Sequence, residues 1–498
     1  MEFTTNSISN LIRRKQRMEA DIGLIGLAVM GQNLVLNMND HGFSVAVFNR
    51  TVSKVEDFLK GPAKNTQIQG AHTLQEFFKL LKRPRKVMMM VKAGDAVDDL
   101  IEECLPFLEA GDIIIDGGNS FYLDTERRVK ELQDKGILFV GAGISGGEEG
   151  ARHGPSIMPG GNEEAWPLLK PILQSIAARA DDGSPCCEWI GNGGAGHYVK
   201  MVHNGIEYGD MQLTSEAYHL LKDVVKSSSS DMQKIFTEWN RGELASYLIE
   251  ITSHILGFMD HDGTLLLDKI LDKAGQKGTG KWTGISALEL GVPVTLIGEA
   301  VFARCLSSMK AERVKASKCY ESPKFNFTGD KKAFIGFLKE ALYLAKIISY
   351  AQGFMLMRTA AEEMKWTLNY GSIALIWRAG CIIRSVFLTK IQRAYDQNKE
   401  LSNLLLDPFF IEEVKRCESG LRQVVATACQ AGIPVPTLGT ALSFFDGYRS
   451  EKLPANLLQA QRDFFGAHTY ERVDNPGHFV HTNWTGTGGN VSSSTYNV

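Results

Sequence analysis

Residues 21–150 alternate between two hydrophobic periods, and nothing else in the chain limits the fold as strongly. Five short apolar runs, Asp21–Leu27, Ser44–Arg50, Lys86–Lys92, Asp112–Gly118 and Ile137–Gly143, each end in a polar or glycine turn. Stretches with helical spacing, such as 30–41 and 53–60, lie between them. Strands this short and this apolar are buried on both faces, which calls for a parallel, doubly wound sheet covered by helices. Met88, Met89 and Met90 sit inside one such run and read as core.

The pattern changes near residue 195. From there to about 450, amphipathic helical windows dominate, at 197–226, 244–257, 332–351 and 411–431. The expected fold is an α/β Rossmann-type N-terminal domain, then a large all-α domain and a C-terminal tail. Its boundaries are an extension over 1–19, a cofactor domain over 20–195, a helical domain over 196–452 and a segment over 453–498. A chain of 498 residues has room for roughly three such units. The tail from 466 is rich in Gly, Thr, Asn and Ser, so it is either loose or docked on something.

Bulk properties exclude several classes. A formal net charge of −3 argues against binding nucleic acid or anionic membrane through a general field. The eight cysteines form no C-x-x-C pair and no ligand spacing with histidine. They read as reduced thiols of a cytoplasmic protein, with no zinc site. No apolar run reaches the ~18 residues of a membrane helix; the longest candidate, 372–385, is broken by Arg378 and Arg384. Residues 1–17 carry Arg13, Arg14, Lys15 and Arg17, with Glu2 the only acid before Glu19. A disordered extension is expected there, an organellar transit peptide being the alternative.

The chemistry begins at Gly26-Leu-Ala28-Val29-Met30-Gly31, directly after the first strand. It fits G-x-G-x-x-G with Ala28 in the second position, small enough for backbone to approach a pyrophosphate. The second strand ends in Asn49, Arg50 and Thr51, with Lys54 close behind. An NAD site would end it in a carboxylate for the ribose hydroxyls. Arg50 instead offers a planar fork suited to a 2′-phosphate, so the residues point to NADP; a solvated Arg50 is the plain alternative.

Two further glycine-rich turns follow, one with Asn119 and one with Ser145, Gly146 and Gly147. Ligands of an open parallel sheet bind at such carboxyl ends. The second turn is either an anion cradle of N–H groups or a flexible loop, and His153 beside it reads as structural. Next, Lys200, His203, Asn204, Glu207 and Tyr208 recur at i, i+3, i+4, i+7 and i+8, one face of a helix. Val199, Val202, Ile206 and Leu213 lie opposite. Helical geometry alone permits a solvated face. It also permits a base and an acid about 10 Å apart along the axis, with a small linear substrate between them. Lys277, Thr279, Arg304, Arg462 and His468 add polar groups that are individually ordinary.

Taken together, ten segments resemble the 6-phosphogluconate dehydrogenases, NADP-dependent decarboxylating enzymes of the pentose phosphate pathway. They are GLAVMGQNL, FNRT, VKAG, DGGNS, GISGGEEGAR, VKMVHNGIEYGDMQL, GQKGTGKWT, VFARCLSS, RDFFGAHTYER and HTNWTG. The resemblance runs from about residue 20 to the C-terminus, and the N-terminal extension is the departure. It implies that Gly26, Ala28, Val29, Met30 and Gly31 line the pyrophosphate and adenosine. Asn49, Arg50, Thr51 and Lys54 would surround the 2′-phosphate, with Val91, Lys92, Ala93 and Asn119 along the cofactor. Asn119 would also border the substrate. Ser145, Gly146 and Gly147 would hold the sugar-acid carboxylate, and His203 and Asn204 its hydroxyls. Tyr208, Lys277, Thr279 and Arg304 would bind its phosphate. Arg462 and His468 would arrive from the partner of a homodimer whose tail threads into its neighbour.

The resemblance also implies the chemistry. Neutral Lys200 takes a proton from the C3 hydroxyl, which requires a lowered pKa. The 3-keto acid then loses carbon dioxide, and Glu207 protonates C1 of the enediol to give ribulose 5-phosphate, with no metal required. Two other readings stay open. Another NADP-dependent β-hydroxyacid dehydrogenase would not need the Lys277, Arg304 and Arg462 cations. A non-catalytic NADP-binding structural protein would not need both Lys200 and Glu207.

Overall fold

The apolar runs pair side by side because neither of their faces can be left to water. Strands β1 (Ile22–Ile25), β2 (Val45–Phe48), β3 (Gln69–Ala71), β4 (Lys86–Met89), β5 (Ile113–Asp116), β6 (Leu138–Ser145), β7 (Ser156–Gly161) and β8 (Gly191–Asn192) form one sheet. Its order is β3-β2-β1-β4-β5-β6-β7-β8. This is a computed structural model, and it describes residues 19–276 and 278–488. The leader over 1–17 and Lys277 therefore lie outside the described residues.

Successive strand residues feed opposite cores. Leu24, Val47 and Ile115 pack on one side of the sheet, and Ile25, Phe48 and Ile114 on the other. Helices α1 (Val29–Asp40), α2 (Val52–Lys60), α3 (Leu74–Lys79), α4 (Asp95–Cys104), α5 (Tyr122–Gln133), α6 (Gly147–His153) and α7 (Trp166–Ile176) cover it. The strand order reverses at β1, between β2 and β4, which places the ligand crevice at the end of β1.

One departure from the expected parallel sheet lies in the glycine-rich stretch after Ser145. Part of it is strand β7, which runs antiparallel to β6 with Ser145 opposite Ser156 and Val140 opposite Gly161. The glycines serve a close approach. Helix α8 (Ala195–Asp223) starts directly on these strands. A Cβ on Gly160 would stand 2.6 Å from the Gly196 nitrogen, and one on Gly143 would stand 2.3 Å from Lys200 Cβ.

Beyond α8 the chain is helical: α9 (Ser229–Trp239), α10 (Tyr247–Gly257), α11 (Thr279–Glu289), α12 (Thr295–Ser308), α13 (Lys310–Cys319), α14 (Lys331–Met364), α15 (Tyr370–Ile376), α16 (Leu388–Gln397), α17 (Pro408–Ala431) and α18 (Pro436–Tyr448). The four windows read from sequence fall on α8, α10, α14 and α17. Asp330 caps α14, accepting from the Lys332 and Ala333 amides. A buried ion pair between Lys346 and Asp210 ties α14 to α8. Among the described residues no helix is long and apolar enough to cross a membrane.

A second compact unit begins at Thr440. It holds α19 (Ala455–Gly466) and a hairpin of β9 (Tyr470–Arg472) and β10 (Asn475–Val480). Buried Asp463 organises it, accepting hydrogen bonds from the Thr469 amide at 2.9 Å, the Thr482 amide at 3.0 Å and Trp484 Nε1 at 2.9 Å. Residues 455–484 thus form a folded element.

Candidate active site

At the end of β1, Gly26 adopts φ +108, and a Cβ there would meet the Met90 carbonyl oxygen at 2.4 Å. One on Gly31 would stand 2.0 Å from the Gly26 oxygen. Gly26 and Gly31 therefore admit no side chain, and the turn folds tightly back on itself at the start of α1. Ala28 caps that helix with no side-chain bond, so no side chain covers its first amides. Asn49 braces the turn, accepting from the Leu27 amide at 3.1 Å and donating to the Thr51 carbonyl at 3.1 Å.

Arg50 projects into solvent and donates to Glu103 of α4 at 2.8 Å. Both line a cavity of about 170 Å³ together with Phe48, Val91, Ala96 and Leu100. Ala96, Leu100 and Glu103 were not singled out from sequence. The signal was present: the apolar face of 95–104 follows VKAG directly. Gly94, at φ +92, caps α4 and closes the Lys92–Ala93 turn. The loop with Asn119 hangs from Asp116, which accepts from the Gly118 amide at 3.0 Å and the Ser120 hydroxyl at 2.5 Å.

The substrate end is one connected network. Buried Lys200 donates to Asn204 Oδ1 at 2.8 Å, and His203 Nδ1 lies 3.0 Å from the same oxygen. His203 Nε2 is 3.2 Å from the Ser145 hydroxyl. Asn204 Nδ2 donates to Thr279 Oγ1 at 3.1 Å. Glu207 Oε2 stands 3.9 Å from His203 Nδ1. Gly146 and Gly147, at φ +127 and +63, turn the backbone beside Ser145.

One turn on, the Tyr208 ring packs against Gly280, where a Cβ would come within 2.6 Å of it. The Arg304 guanidinium lies 3.6 Å above the ring centroid. The structure thus gathers Lys200, His203, Asn204, Ser145 and Thr279 into one cluster, with Glu207 beside it and Tyr208–Arg304 following. Arg462 and His468 belong to the tail unit. There Arg462 donates to Gln459 at 2.7 Å, and His468 meets the Phe465 ring edge-on.

The comparisons decide the family. Residues 21–191 match the family model described as the NAD binding domain of 6-phosphogluconate dehydrogenase. Residues 196–484 match the 6-phosphogluconate dehydrogenase C-terminal domain. The chain belongs to the 6-phosphogluconate dehydrogenase family.

Relatives named 6-phosphogluconate dehydrogenase, decarboxylating, include one from Homo sapiens, 66% identical over 481 residues, 96% of this chain and 100% of the relative. Another, from Aggregatibacter actinomycetemcomitans, is 60% identical over 96% of this chain and 99% of its own length. A solved Plasmodium falciparum 6-phosphogluconate dehydrogenase is 47% identical and superposes with a TM-score of 0.90, covering 93% of this chain and 100% of that one. Its description covers the apo form, a complex with its cofactor NADP+ and a complex with its substrate 6-phosphogluconate.

Burial sets the electrostatics of this site. It lowers Lys200 to about 8, against the opposing charge of Glu207. Burial, with the Lys200 charge, also holds His203 well below the usual imidazole range. His203 is therefore neutral: Nδ1–H points at Asn204 Oδ1, and Nε2 accepts from the Ser145 hydroxyl. Trp377 closes the site behind His203, ring to ring at 5.7 Å. The sequence reading took this stretch only as a broken apolar run. Between Arg378 and Arg384, which break that run, Gly380 at φ +65 brings its backbone oxygen close to Gly146.

Proposed function

We propose that this chain oxidatively decarboxylates 6-phospho-D-gluconate to D-ribulose 5-phosphate and carbon dioxide, reducing NADP. The observation that carries this is Lys200: a lysine buried on α8, lowered to about 8 and hydrogen-bonded to Asn204, within reach of neutral His203. Such a group exchanges a proton near neutral pH, as a base opposite a secondary alcohol must. The resemblance and the Plasmodium falciparum enzyme support the choice of substrate and cofactor.

The residues present fit NADP. The Gly26–Gly31 turn packs backbone on backbone where a Cβ would clash, the start of α1 carries no side-chain cap, and the cavity beside Arg50 suits an adenosine. Arg50 and Lys54 would meet the 2′-phosphate; Lys92, Ala93 and Asn119 would run along the rest. When bound, NADP accepts the hydride from the substrate C3.

Lys200 takes the C3 hydroxyl proton and, once charged, hydrogen-bonds the new carbonyl, which eases loss of carbon dioxide. Glu207, farther along the face, returns a proton at C1. Ser145, Gly146 and Gly147 hold the carboxylate, and His203 and Asn204 the hydroxyls. Arg304, fixed over Tyr208 beside Thr279, favours a phosphorylated substrate over a plain β-hydroxy acid.

We take 20–195 as the cofactor domain, 196–452 as the substrate domain and 453–498 as a tail that completes the site of a second copy. Support for a homodimer is apolar surface that water would not leave bare: Leu288 is 84% exposed, Phe302 67% and, in the tail, Phe465 74%. The eight free thiols support a cytoplasmic enzyme. The test is formation of NADPH and carbon dioxide from 6-phosphogluconate by purified protein. Turnover of non-phosphorylated 3-hydroxy acids alone would overturn the assignment.

A further inference from the structure

Helix α5 carries a buried arginine that the chemistry above does not use. Arg128 is 1% exposed and grips two loops at once. Its Nη2 donates to the Gly94 carbonyl at 3.1 Å and to Asp98 Oδ2 at 2.8 Å. Its Nε donates to Asp98 Oδ1 at 2.8 Å. These bonds hold the Lys92–Gly94 turn and the first turn of α4. On the other side, Arg128 Nη1 faces Asp116 Oδ2 at 3.5 Å and has no hydrogen-bond partner. Asp116 is fully buried and suspends the Gly118–Ser120 loop that carries Asn119.

The same helix reaches the catalytic helix. Thr125 Oγ1 lies 2.7 Å from His197 Nδ1, one turn before Lys200. Glu126 accepts from the Gly194 amide at 2.8 Å, at the start of α8. Nε and Nη2 are matched and Nη1 has only the Asp116 charge to face, so the buried guanidinium is held in one orientation between the two loops.

We propose that Arg128 is a positioning residue that clamps the Lys92–Gly94 turn to the Asn119 loop and thereby sets the distance between the hydride acceptor and the substrate C3. The proposal rests on the assignment of those loops to cofactor and substrate. Its own mark is on the hydride step rather than on binding.

Arg127 supplies the control. It also pairs with Asp98, at 2.9 Å, but from the solvent side, with no bond to Gly94 or Asp116. Steady-state kinetics with 6-phosphogluconate and its C3-deuterated form are compared in wild type, Arg127→Gln, Arg128→Lys and Asp116→Asn. Arg128→Lys keeps the charge and loses the fork. Asp116→Asn keeps the shape and the Gly118 amide bond, while the amide that replaces Oδ2 turns toward Nη1 and must donate to Ser120 instead of accepting from it.

Arg128→Lys and Asp116→Asn should each lower kcat on the order of 100-fold, as loosened reaction geometry does, and enlarge the deuterium isotope effect. Arg127→Gln should stay within about twofold of wild type, since exposed ion pairs contribute little. If Arg128→Lys does not fold, Asp116→Asn alone decides. A folded variant with wild-type kcat and isotope effect, whatever its melting temperature, overturns the clamp. Wild type inert toward 6-phosphogluconate and NADP would instead sink the functional assignment.

Discussion

At the cofactor end, Val29 is 55% exposed, and the Arg50 side chain stands three-quarters in water with a surface carboxylate as its partner. At the substrate end, Lys200 is 6% exposed and His203 fully buried, each joined to neighbours by hydrogen bonds. The difference follows from the two tasks. Proton transfer at neutral pH needs a lysine far from its usual pKa, and burial is what displaces it. Holding a ligand that must leave every cycle needs charge that can re-form its contacts with water. One end of the site is built in advance; the other is assembled around its guest.

The sharpest test of that contrast removes the buried base. Lys200→Met should lower turnover by roughly 10³-fold, the scale of general acid–base catalysis. It should also raise stability. The folded lysine, at about 8 against the usual 10.5, resists protonation that the unfolded chain accepts. Wild-type stability should therefore climb between pH 8 and 10.5 by roughly 3 kcal/mol, while the methionine variant stays flat there. Melting curves across that range check it, and wild-type turnover in the variant would break the comparison.

Next in size is Glu207→Gln, expected to lose about 10²-fold in turnover. Because the Glu207 charge raises the Lys200 pKa, its removal should shift the rising limb of the kcat/KM profile to lower pH. A limb that stays in place would separate the two residues electrostatically.

At the open end, Arg50→Asp should raise the KM for NADP on the order of 10- to 100-fold, the worth of a charge-assisted hydrogen bond. Its kcat should change little, and preference should move toward NAD. Unchanged NADP affinity would remove Arg50 from the cofactor site.

The smallest expected effect concerns support of the base. Gly143→Ala sets a methyl carbon 2.3 Å from Lys200 Cβ, an overpacking of roughly 1–3 kcal/mol that lowers the melting temperature and shifts α8. Gly42→Ala, with open space around its Cβ, is the comparison for glycine strain alone.

Much of the sheet was legible because β1, β2, β4, β5 and β6 are apolar enough to announce themselves. Strand β7 was not, since Ser156–Gly161 shows no run of large side chains. Its glycines answer to α8 overhead, a neighbour that local periodicity cannot see. The order of groups along the Lys200 face was readable from spacing, but its burial was not, because Gly143, Ser145, Thr279 and Trp377, which cover it, come from distant parts of the chain. Arg128 was overlooked although spacing marks it: it falls on the stripe of Tyr122, Thr125, Val129 and Leu132, whereas Arg127 does not.

Helix α8 runs unbroken for 29 residues from the sheet into the helical domain, a rod of about 43 Å at the usual rise. A rod transmits position but does not flex at one residue. On the roles proposed for them, the base at Lys200 and the phosphate contact at Tyr208 would keep a fixed separation, and the helix would act as a ruler for substrate length. Acids one carbon shorter or longer would seat one end and miss the other. Discrimination by length then belongs to a stretch of backbone rather than to any single contact.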